Sequence, residues 1–302
     1  MSATTPILLA LSLALPPLLL GVVNRVKSIF AGRQGPPLWQ VYADLARLAR
    51  KGAVYSRTTT WIFRAGPVVG VAAVVTACLF VPFGGAPAVL SFDGDFVLLA
   101  YLLGLARFAT VLAALDTGSA FEGMGAAREV TFSSLAEPAL FLTLVTVARA
   151  TGSISLSGML GPALPGAWGE AAPALLLAAI ALFVVALAEN ARIPVDDPNT
   201  HLELTMIHEV MVLDHSGPDL ALILYGASLK LFLFGALFVR LALGFSLGGP
   251  AAVAVFLAGM AGFAVAVGVV ESVMARLRMA RVPQLLVGAS VLSAFALVLL
   301  LR

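Results

Sequence analysis

One cysteine in 302 residues, and charged side chains at only 11% of positions, exclude much at the outset. A single cysteine holds no iron–sulfur cluster and closes no internal disulfide. Cys78 sits inside an apolar run and reads as a small packing residue. The chain also lacks a glycine-rich dinucleotide fingerprint and a phosphate-binding loop. No redox centre or nucleotide site of its own is therefore expected. No basic residue precedes the first apolar run, the first being Arg25, so a cleavable signal peptide is not expected either. The net charge of +2 carries no indication of a nucleic-acid partner.

What the chain does have is apolar residues, 61% of the total. Soluble domains carry about 25% charged residues, so lipid is the expected solvent for most of this chain. Backbone in lipid must satisfy itself internally, and apolar runs of ~20 residues do so as helices. The runs are continuous and do not alternate, which excludes a transmembrane barrel. The expected fold is an all-α polytopic membrane protein, one integral membrane domain over residues 1–302. Eight spans are predicted, at about 6–23, 65–83, 96–115, 135–150, 171–189, 220–243, 251–270 and 284–301. Pro16-Pro17 should kink the first, and Gly152 should end the fourth. After Gly35-Pro36-Pro37, residues Leu38, Val41, Tyr42, Leu45 and Leu48 recur at helical spacing. They predict an amphipathic surface helix in the first loop.

The basic residues set an orientation. Loops at about 24–64, 116–134, 190–219 and 271–283, with their flanking turns, hold thirteen Lys and Arg residues, against three on the other side. Those four loops are expected in the cytoplasm and both termini outside it. Arg107 and Lys230 belong to neither side. Each lies ten or eleven residues into a span, ~15 Å deep at 1.5 Å per residue. Intramembrane ionisable groups of this kind mark relays or partners of buried carboxylates. A structural pair locking two helices is the alternative.

Two loops are acidic. In the loop after the third span, Gly118, Gly123 and Gly125 predict an irregular stretch containing Glu122, Arg128 and Glu129. Glu137, just inside the fourth span, would be partly desolvated, which favours its protonated form. The segment from Ala188 to Leu222, AENARIPVDDPNTHLELTMIHEVMVLDHSGPDLAL, places Glu189, Arg192, Asp196, Asp197, His201, Glu203, His208, Glu209, Asp214, His215 and Asp219 between two apolar runs. Pro194 and Pro198 should stop helices, and a helical pattern should resume from Thr200 to Leu213. The three histidines recur every seven residues, ~10.5 Å apart along a helix, too far for one metal ion. A titratable role at a protein interface suits them better.

This stretch resembles the acidic loop of the H-type membrane subunit shared by complex I and the energy-converting group 4 [NiFe] hydrogenases. The residues that carry the resemblance are Ala188, Glu189, Arg192, Pro194, Asp196, Pro198, Glu203 and Leu204, followed by Asp214, His215, Ser216 and Gly217. Gly35-Pro36, Gly118-Ser119, Arg128 and Glu137 match in the other loops, and the likeness covers essentially the whole chain. Within that family the compact run GPPLWQVYADLARLARK and the run LDTGSAFEGMGAARE look like the formate hydrogenlyase branch. Asn199, Thr200 and His201 replace a carboxylate-bearing run found in complex I, where it helps shape the quinone chamber.

The resemblance implies a membrane-anchor and proton-coupling subunit of a hydrogenase-type complex in a bacterial inner membrane. Glu137, Glu189, Asp196, Glu203 and Glu209 would handle protons, with Asp197 and Asp214 as further candidates. Arg128 and Arg192 would tune them as charge partners, and Arg107 and Lys230 would be mid-membrane members of the relay. The partners implied are the hydrogenase large and small subunits, iron–sulfur subunits and antiporter-like membrane subunits. The [NiFe] centre and iron–sulfur clusters would lie in those partners, with no cofactor in this chain. The competing readings are the quinone-binding H-type component of an NADH:quinone oxidoreductase and a stand-alone secondary transporter. The latter needs helices broken at corresponding positions of two halves, and no such repeat is visible.

Overall fold

The computed structural model describes residues 4–196, 206–244 and 249–301. These residues form α-helices and two short 3₁₀ turns, with no β-strand among them. The helices are α1 (Thr4–Ala14), α2 (Pro16–Phe30), α3 (Gln40–Ala49), α4 (Trp61–Cys78), α5 (Asp95–Asp116), α6 (Ala120–Thr151), α7 (Leu156–Met159), α8 (Leu164–Glu189), α9 (Gly217–Leu243), α10 (Gly249–Val273) and α11 (Val282–Leu299). The seven from α4 to α11, leaving out the one-turn α7, are long and apolar enough to cross a bilayer. The bent pair α1–α2, broken by 45° at Pro16-Pro17, brings the count to eight when it is taken as one span. The prolines explain the bend, because each removes a backbone donor and its ring crowds the preceding turn.

α9 is the most enclosed spanning helix, packed against α2, α3, α4, α8 and α10. α4 lies along α5, and α6 lies against both α8 and α11. Burial of alanine, leucine and phenylalanine at these seams makes one continuous core. The first-loop helix is present as α3, with Val41, Leu45 and Leu48 half-buried and Tyr42 exposed. It packs on α2 and α9, and the Tyr42 hydroxyl donates to the Ala14 carbonyl.

Three expectations need correction. The stretch 116–134 is not an irregular loop. α6 starts at Ala120 and runs unbroken for 32 residues to a left-handed Gly152. At ~1.5 Å per residue that is about 48 Å, longer than a ~30 Å hydrocarbon core. Gly125 serves close approach rather than a break. A Cβ there would meet Val210 Cγ1 at 2.3 Å and the Ile207 carbonyl oxygen at 3.0 Å. Secondly, the helical pattern read from Thr200 onwards appears, among the described residues, only as a 3₁₀ turn at Glu209–Val212. Its apolar positions Met206 and Val210 are buried against α6 and its neighbours instead of lining an α-helix. Thirdly, the fifth crossing starts before residue 171. α8 begins at Leu164 and is kinked at Ala171, where the backbone leaves helical geometry two residues before Pro173.

Candidate functional site

Arg107 on α5 faces three carboxylates from three places in the sequence. Its Nη1 donates to Glu137 Oε1 at 2.7 Å, and its Nη2 to both oxygens of Glu189 at 2.7 and 2.9 Å. Its Nε lies 3.7 Å from Glu129 Oε1. Lys230 on α9 closes the group from the other side, with Nζ 2.8 Å from Glu189 Oε2. Glu189 is therefore held by two cations at once, and its side chain is only 4% exposed.

The helices explain how these groups meet. Arg107 lies nine residues before the end of α5, about 14 Å along the axis. α6 turns back after Ser119, so Glu129 returns to about the depth of Arg107 and Glu137 lies ~12 Å further along, with the Arg107 side chain reaching between them. Glu189 is the last residue of α8, so the carboxylate at that helix end is sunk to the level of mid-α5 and mid-α9. A cavity of about 90 Å³ opens beside the cluster, lined among others by Arg107, Thr110, Glu129, Glu189, His208 and Lys230. Gly66, Gly70 and Gly226 on α4 and α9 also line it, and a Cβ on Gly66 or Gly226 would meet Ala113 or Val71 of the neighbouring helix. Among the described residues charge is unbalanced here: Glu129, Glu137 and Glu189 pair with Arg107 and Lys230.

Beyond Glu189 the chain is tied to the end of α10 at three points. Arg192 Nη1 lies 3.3 Å from Glu271 Oε1, the Leu277 N–H donates to the Pro194 carbonyl at 2.9 Å, and Arg276 Nη2 lies 2.8 Å from Asp196 Oδ1. Asp196 Oδ2 also accepts the N–H groups of Ile207 and His208, both at 3.1 Å. That bond pins the backbone whose His208 side chain lines the cavity. Glu271 is fully buried and also pairs with Lys27 of α2 at 2.8 Å.

Of the residues proposed from sequence, Arg107, Lys230, Glu137 and Glu189 lie together. Asp196 pairs with Arg276 and shares a small neighbouring pocket with Glu129 and Glu189. Arg192 pairs with Glu271 rather than with any carboxylate proposed for proton handling. Arg128 donates from Nη1 to the Met206 carbonyl at 2.9 Å. Glu209 begins the 3₁₀ turn, outside the Arg107 ion pairs. Asp214 is exposed, and its N–H donates to Glu122 Oε1 at 3.1 Å. Asp197, His201 and Glu203 lie outside the described residues. Sequence reasoning passed over Glu129 and Glu271. Glu129 was set in a presumed loop, and Glu271 falls one residue past an apolar run. Its signal was available, because it is the only acidic residue after Asp219.

A helical membrane protein with a buried, unbalanced ion cluster at the level of its spans is the class these observations define. The chain belongs to the NADH dehydrogenase family, whose model matches residues 3–302. It is 33% identical to hydrogenase-4 component C of Escherichia coli (strain K12), over 77% of this chain and 72% of that one. It is 31% identical to formate hydrogenlyase subunit 4 of the same organism, over 79% and 77%. The H-type component of the NADH-quinone oxidoreductase of Rubrobacter xylanophilus is 30% identical over 63% of this chain and 57% of that one. The fold of the present chain matches a chain of the membrane-bound sulfane sulfur reductase, an archaeal respiratory membrane complex, with a TM-score of 0.82, 22% identity and 98% of each chain covered.

Proposed function

We propose that this chain is the membrane-anchor and proton-coupling subunit of a hydrogenase-type complex, and that the Arg107 cluster is its proton-handling centre. The observation that carries the reading is that, among the described residues, Glu129, Glu137 and Glu189 meet Arg107 and Lys230 beside a cavity at mid-span depth. An ionised group in the hydrocarbon region is costly and is retained there for transport or coupling. One proton evens the charge, so a shift in the local field of roughly one charge is enough to load or empty the site. The likeness to hydrogenase-4 component C and formate hydrogenlyase subunit 4 supports the hydrogenase branch over a quinone-binding role in an NADH:quinone oxidoreductase.

Soluble large and small hydrogenase subunits and iron–sulfur subunits would dock on the side carrying the thirteen basic residues, which is taken as cytoplasmic, with both termini outside. The [NiFe] centre and iron–sulfur clusters belong to those partners in this reading. The one cysteine here is buried in α4, and no three His, Cys, Asp or Glu side chains converge as ligands among the described residues. Antiporter-like membrane subunits are also proposed, on one observation. The Glu137 side chain is 48% exposed on the flank of α6 while bound to Arg107 at mid-span. Left bare, it would face lipid. A membrane partner covering it removes that cost and gives protons a way onward.

Glu137→Gln and Glu189→Gln, each in the assembled complex in sealed vesicles, test the proposal. Both variants should keep redox turnover and lose ion movement. Pumping at the wild-type rate in both would refute the assignment.

A further inference from the structure

A second group of titratable side chains lies at the head of α9, away from the Arg107 cluster. His215 is only 5% exposed, with its ring stacked flat on Phe63 of α4 at a centroid distance of 3.9 Å and an interplanar angle of 7°. Asp219, one turn into α9, is 8% exposed. His215 Nδ1 and Asp219 Oδ2 are both buried and have no hydrogen-bond partner among the described residues. Buried polar atoms are almost always partnered, so two orphans four residues apart at one helix head stand out. The neighbourhood is acidic. Asp214 adjoins His215 in the chain, and Glu122 of α6 accepts the Asp214 N–H at 3.1 Å. The Tyr55 hydroxyl lies against Asp219, and Arg64 sits 4.2 Å above the Tyr55 ring. Asp116 of α5 faces the same corner but is committed to capping α4, accepting from the N–H groups of Thr60 and Phe63.

We propose that buried His215, with Asp219 one turn further along at the head of α9, forms a second proton-holding site distinct from the Arg107 cluster. The step is simple addition. A neutral imidazole keeps one ring nitrogen bare, a proton from hydronium adds to it, and the resulting cation lies in the field of the Asp219 and Asp214 carboxylates. Phe63 offers its face to that cation. Segment 51–57 closes the site from outside. The Val54 N–H donates to Ser216 Oγ at 3.1 Å, and a Cβ on Gly217 would meet the Gly52 carbonyl oxygen at 2.7 Å. Burial holds the imidazole below its ordinary value near 6.5, while Asp219 and then Asp214 push it back up.

The chain has three histidines, so the full-length protein labelled with ¹⁵N-histidine and reconstituted in lipid gives three resolvable imidazoles by solid-state NMR. His215→Gln assigns one of them. Titration from pH 8 to 5 should show that imidazole protonating below about 6.5. Asp219→Asn should lower its midpoint further, and so should Asp214→Asn, which alters an exposed side chain and leaves the fold intact. The His208 midpoint should not move. A His215 midpoint at or above 6.5, or one indifferent to both substitutions, overturns the proposal. No transport is measured, so the outcome stands apart from the coupling role assigned to Arg107.

Discussion

Arg107 is the residue on which most other contacts at the site depend. Removing one partner from a buried ion pair leaves the rest uncompensated and typically costs about 3–5 kcal/mol. Arg107→Gln strips the stronger cation from three carboxylates, so a loss of that order is expected in reversible detergent unfolding of the full chain. Glu129→Gln should cost far less, because its oxygen lies 3.7 Å from Arg107 while two acids stay bound. His215 yields a pH prediction. Burial holds its imidazole below the unfolded value of 6.5, so below that pH the unfolded chain binds more protons than the folded one. The thermal midpoint should therefore fall as pH drops through 6.5, and His215→Gln should flatten that slope. Individually, Arg107, Lys230, Glu137 and Glu189 were conspicuous in the sequence, as ionisable groups in or beside apolar runs. Their pairing was not, because Arg107 meets partners 30 and 82 positions away. Nothing in local spacing encodes such a meeting.

Among the elements, α6 is where sequence and structure part. Glycine is read from sequence as a breaker, yet glycine also permits close approach, and only tertiary contacts decide between the two. Gly125 is the second kind. Gly125→Ala should cost about 1–3 kcal/mol by overpacking against Val210 and Met211. Gly104→Ala on α5, where an added methyl meets nothing within 4 Å, should be neutral or stabilising by up to about 1 kcal/mol from helix propensity. Thermal unfolding of the two variants side by side checks both. The Pro16-Pro17 bend was legible because proline's effect is local. The kink at Ala171 was not, since the apolar run gave no reason to start α8 before it.

Across the whole molecule, the spans were legible because hydrocarbon demands long uncharged helices, and long apolar runs are hard to mistake. Their depth relative to one another was not. Glu189 reads as a loop-edge residue, yet it binds the middles of two neighbours. The orientation is directly testable, since the one native cysteine is buried. Single cysteines at Arg57 and Arg278 should label with an impermeant thiol reagent only from the cytoplasmic side, and one at Glu170 only from the opposite side. Reversal of that pattern would invert the proposed topology.

α6 also has a mechanical meaning. One continuous helix between residues 120 and 151 carries Glu122, Glu129 and Glu137 at intervals of seven and eight residues, with Pro138 directly after the last of them. A nudge to its tip near Glu122 travels along an intact hydrogen-bonded helix as far as Glu129. Pro138 removes one backbone hydrogen bond beside Glu137, so that is where the rod can bend and where a push can alter the grip on Arg107.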